Sequence, residues 1–415
     1  MKMFNRDIIK DIEPFLERRE AILVRGMRRV GKTTLLKLIE KKLKKEYGVT
    51  EKQIYFFDLE DLDLREDFNI SPRNLLKYLK IDKRKKTYVF LDEIQYLDNP
   101  ANFLKILVDH YPKLKFFVTG SSSLEIKRKI QDSLVGRVMY FQLYPLNFLE
   151  ALFFQGKNKL QVTNRMTPAQ IKNSNKLLQD YLVFGGMPEV VLEENIEVKK
   201  KLLKSYLNLY ISKDIRNLAE IKNLSVFNKL TKVLASQIGN IFIKTDVANR
   251  LDASLKIIQR YFDILKHTFL VVSLPPYFSN TISQLVKSKK IYFYDLGLRN
   301  ALLNDFNELE FRADSGAVFE NFIFLELAHK YDLTEISYYR TQQGSEIDFI
   351  VDSHKNKMAI EVKYKKFRDK KIFKVFDNFS EFDNFIVNRN FNLNLKNYNF
   401  IDWRNFLKKV YEEVK

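Results

Sequence analysis

One short stretch carries residues typed and spaced for phosphate chemistry: Gly26, Gly31, Lys32 and Thr33 in Ala-Ile-Leu-Val-Arg-Gly-Met-Arg-Arg-Val-Gly-Lys-Thr-Thr. Glycines at both ends of such a loop let backbone N–H groups turn toward phosphate oxygens, and a following helix adds the positive end of its dipole. Lys32 is placed to reach β- and γ-phosphates, and Thr33 to offer its hydroxyl to magnesium. The expected ATP contacts are Gly26, Met27, Arg28, Arg29, Val30, Gly31, Lys32, Thr33 and Thr34. Downstream, the apolar run Tyr88 to Leu91 ends in Asp92 and Glu93. Asp92 is positioned to hold magnesium and Glu93 to polarise the attacking water. A third run from Phe116 ends in the hydroxyls of Thr119, Ser121, Ser122 and Ser123. Ser121 is the candidate γ-phosphate sensor there, although turn and cap roles suit the same residues. Arg137, directly after Gly136, is the candidate arginine finger, competing with an ordinary surface arginine.

A second constellation lies near the end of the chain. Asp348 in Ser-Glu-Ile-Asp-Phe-Ile-Val precedes Glu361 and Lys363 in Ile-Glu-Val-Lys. Period-two alternation puts Glu346 and Asp348 on one face, and Glu361 and Lys363 on one face of the next strand. Ile347, Phe349, Ile360 and Val362 then fill the other face, and a turn near residue 355 sets Asp348 opposite Glu361 and Lys363. Glu320 comes from a helix spanning 316–331, with Phe319, Ile323 and Leu327 as its buried side. Asp348, Glu361 and Glu320 would supply hard oxygens to a second magnesium or a manganese, and Lys363 would orient water. That is the arrangement a PD-(D/E)xK nuclease requires; the competing reading is the solvated face of a β-hairpin.

These groups need elements to hold them. Residues 1–155 read as a parallel αβα sandwich with nucleotide at the strand ends. Residues 156–215 are helical, with Gly185, Gly186 and Pro188 marking a turn. Residues 216–285 read as a winged helix. A short helix capped at Thr245 or Asp246 is followed by a longer one over 255–266, capped by Ser254, and a hairpin from Phe269 onward. Leu255, Ile258, Phe262 and Leu265 form the apolar face of the longer helix, leaving Lys256, Gln259, Arg260 and Asp263 outward. Residues 286–415 read as a small α/β domain.

At 415 residues the chain exceeds one ordinary core, and its 46% hydrophobic content can fill several. The absence of cysteine excludes disulfides, thiolate nucleophiles and zinc ribbons. No run of about eighteen apolar residues occurs and the first twenty residues lack a signal sequence, so a cytoplasmic protein with no membrane partner is expected. The formal charge of +19 favours polyanionic partners, nucleic acid in particular.

The combination of Gly26–Thr33, Leu91-Asp-Glu-Ile-Gln95, Thr119-Gly-Ser-Ser-Ser123, Val135-Gly-Arg137 and Tyr144-Pro-Leu-Asn-Phe148 resembles the archaeal and bacterial ATPases of the AAA+ superfamily. The resemblance extends over essentially the whole chain. It implies a catalytic glutamate at Glu93, a sensor near Ser121 and a finger at Arg137 acting in a homo-oligomer. It also implies a helical lid over 156–215 and a C-terminal restriction-endonuclease-like domain. The expected function is magnesium-dependent ATP hydrolysis directed at nucleic acid, DNA rather than RNA, with nuclease action at Lys363. The alternative is a nucleotide-controlled protein-interaction switch with a non-catalytic C-terminal domain.

Overall fold

The computed structural model describes residues 4–82, 84–120, 134–157, 167–210, 221, 223–277, 288–341, 343–365, 371–395 and 398–412. The chain divides into two compact units. The first comprises residues 1–144 with short pieces at 209–220 and 267–269, and the second holds the remainder.

In the first unit five parallel strands form one sheet: β1 (Ala21–Arg25), β2 (Ile54–Asp58), β3 (Thr87–Asp92), β4 (Leu114–Gly120) and β5 (Val138–Gln142), in the order β2-β3-β4-β1-β5. Successive residues of β1 alternate between two cores. Ala21 and Leu23 pack with Val89, Leu91, Phe116 and Leu104. Ile22 and Val24 pack with Leu35, Leu36, Ile39, Phe90 and Phe117. Burial on both faces explains why these strands read as unbroken apolar runs. The order also places the tip of β4 between the P-loop, which follows β1, and the acids at the end of β3.

The second unit opens with helices Phe148–Phe154, Pro168–Phe184, Pro188–Leu192 and Ile196–Leu209. Gly185 and Gly186 join two of these, as the turn signal implies. Helices Leu224–Ser236, Lys244–Arg250 and Leu255–His267 follow. A three-stranded antiparallel sheet accompanies them: β6 (Ile241–Phe242), β7 (Val271–Leu274) and β8 (Lys289–Phe293), ordered β6-β8-β7. The shorter helix begins at Lys244 without a side-chain cap, ahead of the expected Thr245 or Asp246. Ser254 Oγ does accept from Ile257 N at 3.3 Å at the start of the longer one. Leu255 is 48% exposed, whereas Tyr261 and Ile264 are buried, so the apolar face is rotated from the expected one. The stretch after β8 turns into helix Leu296–Leu303 rather than extending the hairpin, because Asp295 caps it by accepting from Leu298 N at 2.8 Å.

The last part is a six-stranded mixed sheet: β9 (Ile336–Arg340), β10 (Glu346–Asp352), β11 (Lys357–Lys363), β12 (Asp383–Asn388), β13 (Leu393–Asn394) and β14 (Asn399–Asp402). Its order is β13-β14-β12-β11-β10-β9. Helix Ser315–Ala328 is apolar nearly all round and buried accordingly. The alternation expected for β10 is broken by a register shift against β9 between Ile347 and Ile350, which puts both in one core with Ala359. Phe349 instead meets Tyr292 and Phe324.

Candidate functional site: a P-loop and a separate acidic cluster

One close approach and one left-handed backbone conformation explain the glycines of the first site. A Cβ on Gly26 would lie 2.4 Å from the Leu143 carbonyl oxygen, and Gly31 has φ 99°, a left-handed conformation that glycine adopts without steric cost. Gly31 caps helix Lys32–Glu46, so the loop Gly26–Gly31 and the turn containing Thr33 and Thr34 present backbone N–H groups at a helix N-terminus. Arg6 braces this loop from outside, donating to Val30 O at 3.3 Å and Tyr144 O at 2.8 Å.

A line of hydrogen bonds crosses from loop to strand. Thr33 Oγ1 donates to Asp92 Oδ2 at 2.6 Å, and Thr119 Oγ1 donates to Asp92 Oδ1. Thr119 Oγ1 in turn accepts from Glu93 N at 2.9 Å. Lys32 Nζ donates to Gly26 O at 3.3 Å and Met27 O at 3.1 Å, and lies 3.8 Å from Glu93 Oε1. Glu93 has φ 57°, a left-handed conformation costing a non-glycine residue about 1 kcal/mol. The bond from its N–H to Thr119 and a bond from Gln95 Nε2 to its Oε2 hold it there. Burial pushes the Asp92 carboxyl up, partly opposed by the bonds from Thr119 and Thr33. The donor set suits a nucleotide with magnesium: hydroxyl and carboxylate meet at one point, with the lysine and glutamate beside it.

Gln95 has no role in the sequence reading, and Thr119 is there only one of four strand-tip hydroxyls, with Ser121 preferred. Thr119 ends a strand whose neighbours can be known only once the order β3-β4-β1 is known. Ser121, named as the sensor, lies outside the described residues. Arg137 stands apart from this chain's own P-loop. Ala21 N donates to its carbonyl at 2.8 Å at the start of β1, whereas the P-loop follows the far end of that strand, roughly 13 Å away. Its Nε donates to Asp109 Oδ1 at 2.7 Å.

In the six-stranded sheet, β10 and β11 pair with Phe349 opposite Ile360, and Asp348 Oδ2 accepts from Val362 N at 2.9 Å. The acids do not lie on a solvated hairpin face. Asp348 is 7% and Glu361 5% exposed, because helix Ser315–Ala328 and Lys290 of β8 cover that face of the sheet. Glu361 pairs with Lys363, while its Oε2 is buried without a hydrogen bond; burial and the nearby Asp348 push this carboxyl well up. Burial also raises Glu320, to about 7. Into this cluster projects Lys290 of β8, which sequence reasoning missed. Its Nζ lies 3.0 Å from Glu320, 2.5 Å from Glu346 and 3.2 Å from Asp348. Burial works against the Lys290 charge, but these carboxylates outweigh it and hold its pKa well above the ordinary range. Tyr292 donates to Glu320 Oε1 at 2.6 Å. Among the described residues no group of three or more histidines, cysteines or acids is arranged to hold a metal ion.

Residues 18–152 match the AAA domain family, residues 175–309 a domain of unknown function (DUF8612) and residues 315–406 another (DUF4143). The chain is 30% identical over 372 residues to "Uncharacterized protein MJ1544" of Methanocaldococcus jannaschii, covering 88% of this chain and 78% of that protein. It is 24% identical to an uncharacterized protein of Haemophilus influenzae, over 79% of this chain and 78% of the relative. The chain belongs to the family of MJ1544, and its N-terminal part is a P-loop domain of the AAA type. Among solved structures, the Aeropyrum pernix ORC1 protein in complex with DNA aligns at 10% identity over 73% of this chain and 94% of that one; its TM-score of 0.30 is too low to inform function. No described helix is long and apolar enough to cross a membrane.

Proposed function

We propose that this protein is a magnesium-dependent ATPase of the AAA+ type whose nucleotide state governs contact with nucleic acid. The observation that carries the reading is the hydrogen-bonded line Thr33–Asp92–Thr119, with Glu93 held beside Lys32. Thr33 and Asp92 would hold the magnesium ion, which when bound offsets charge on the phosphate oxygens. Lys32 would exchange its two backbone carbonyl partners for β- and γ-phosphate oxygens. Glu93 would accept the proton of the attacking water, with Gln95 orienting its carboxylate and Thr119 its backbone. Arg137 lies at the wrong end of β5 to serve its own nucleotide, which supports a finger acting in trans within a homo-oligomer, with Ser121 retained as the proposed sensor.

The proposed domains are 1–155, a lid at 156–215, a winged helix at 216–285 and a PD-(D/E)xK-like fold at 286–415. Helices Lys244–Arg250 and Leu255–His267 with β7 support the third, although β8 (Lys289–Phe293), which pairs with β7, lies past its proposed boundary at 285; Lys256 and Arg260 are exposed on the longer helix. Gln259 is engaged with Asp263 at 2.7 Å. Lys256, Arg260 and the charge of +19 support a nucleic-acid polyanion, proposed to be DNA, and the proposed compartment is the cytoplasm. Strand-borne Asp348, Glu361 and Lys363 support the fourth; metal-dependent cleavage is left out, because Lys290 engages the acids that would have to bind the metal.

The test is ATP turnover with and without duplex DNA at low ionic strength. The expected result is hydrolysis that requires magnesium and rises with DNA, with the rise lost in Lys256→Ala/Arg260→Ala. Turnover that ignores DNA would remove the nucleic-acid half of the proposal, and absence of turnover would remove the first half.

A further inference from the structure

Lys290 is an unusual residue to find where it is. It sits in β8 within Lys-Lys-Ile-Tyr-Phe, its side chain is 2% exposed, and its strand belongs to the small three-stranded sheet, not the sheet that carries the acids. An ammonium has three N–H donors and no acceptor. Here three carboxylates from two other elements meet it: Glu320 of helix Ser315–Ala328 at 3.0 Å, and Glu346 and Asp348 of β10 at 2.5 and 3.2 Å. The remaining groups complete the shell. Tyr292 donates to Glu320, Val362 N donates to the second oxygen of Asp348, and Lys363 pairs with Glu361. The backbone is close as well, since a Cβ on Gly239 would lie 3.1 Å from Glu320.

We infer that the Lys290 ammonium takes the place of a divalent cation in this acidic cluster, so that Glu320, Glu346 and Asp348 form a socket for β8 and not a metal centre. Carboxylates buried together repel one another and require a cation; a tethered lysine supplies one at the moment the chain folds, without loss of translational freedom and at any metal concentration. A divalent ion would have to part that buried ammonium from its three carboxylates, and a buried charge left uncompensated is costly. The consequence is a C-terminal sheet whose stability is independent of divalent ions and which does not cleave phosphodiesters by metal-activated water. The device also ties β8 of the small sheet ionically to the large one, making the β7–β8 pair and the acid-bearing strand a single braced piece. One feature favours a metal instead: the buried Oε2 of Glu361, which has no hydrogen bond. The experiment is chosen to let that oxygen decide against the inference.

Mn2+ binding to the nucleotide-free full-length protein is measured through the loss of the free-ion EPR signal, in an Asp92→Asn background that silences the P-loop ligand. The expected result is no retained Mn2+ and no change in melting temperature with Mn2+ or Mg2+. Retention of Mn2+ that Glu361→Gln or Asp348→Asn abolishes would overturn the inference. The complementary variant is Lys290→Met, which removes the charge and keeps the stem. It is expected to melt lower than its parent and to regain melting temperature with Mn2+, the metal now filling the socket. A Lys290→Met protein that melts with its parent would also overturn it. Should this variant fail to fold, the Mn2+ measurement on the Lys290-containing protein still decides. Neither readout depends on ATP turnover, so loss of the ATPase reading leaves this inference standing, and the reverse.

Discussion

Two buried lysines, each with acids nearby, meet opposite kinds of partner in this chain. Lys32 in the P-loop is hydrogen-bonded to two backbone carbonyls and lies 3.8 Å from Glu93. Lys290 in the second unit meets three carboxylates at 2.5–3.2 Å. Neutral carbonyls satisfy an ammonium without binding it tightly, so a phosphate can take it over; three carboxylates hold it in place. On the proposed reading, the kind of partner, more than burial, separates a cation kept for a ligand from a cation kept for the fold.

The largest expected effect breaks or upholds that comparison directly. Lys290→Met removes one partner of a buried charge cluster and should cost about 3–5 kcal/mol in urea denaturation. A loss below about 1 kcal/mol, the size of an ordinary hydrogen bond, would mean that the socket is not a staple. Next comes the inverse arrangement, an anion among cations. Asp314 Oδ2 lies 2.6 Å from Arg299 and 2.8 Å from Arg312. Burial raises its pKa, but the two guanidinium groups outweigh it and hold the carboxyl at about 2. A folded pKa below the unfolded value means that the stabilisation is present above about 4 and disappears as pH falls toward 2. Relative to Asp314→Asn, the natural protein should therefore be more stable by about 2 kcal/mol at neutral pH, and the advantage should vanish by acid titration to pH ~2. A constant difference across that range would assign the effect to packing. The smallest effect sharpens the comparison from the other side. Lys32→Ala should change nucleotide-free stability by only about 1 kcal/mol, since its hydrogen bonds go to the Gly26 and Met27 carbonyls and the Glu93 carboxylate stands off at 3.8 Å. Calorimetry should nevertheless find ATP binding strongly weakened.

The two regions were unequally legible in the sequence. Strand, loop and helix around Gly26–Thr33 are contiguous, so local pattern alone brings Lys32 and Thr33 into place, and Asp92–Glu93 follows from the end of one apolar run. Thr119 was one hydroxyl among several until the strand order set it between Asp92 and the P-loop. Lys290 was illegible because its three partners, Glu320, Glu346 and Asp348, lie far along the chain, the nearest 30 and the farthest 58 residues away, and pairing across such distances leaves no periodic trace. A lysine inside an apolar strand pattern was the available signal. The competing reading of Asp348 and Glu361 as a solvated face fails for a related reason. Alternation describes one strand and its two faces, whereas β10 and β11 are covered by elements distant in sequence and the pattern is broken by the shift near Ile347.

The central claim is that Glu93 activates water for ATP hydrolysis at this P-loop, and Glu93→Gln tests it with least ambiguity. Glutamine keeps the size of the side chain and loses the proton acceptor. The account predicts that the variant binds ATP as the natural protein does and, in a single-turnover experiment, hydrolyses it at least about 100-fold more slowly. Equal single-turnover rates in the two proteins would contradict the assignment of Glu93.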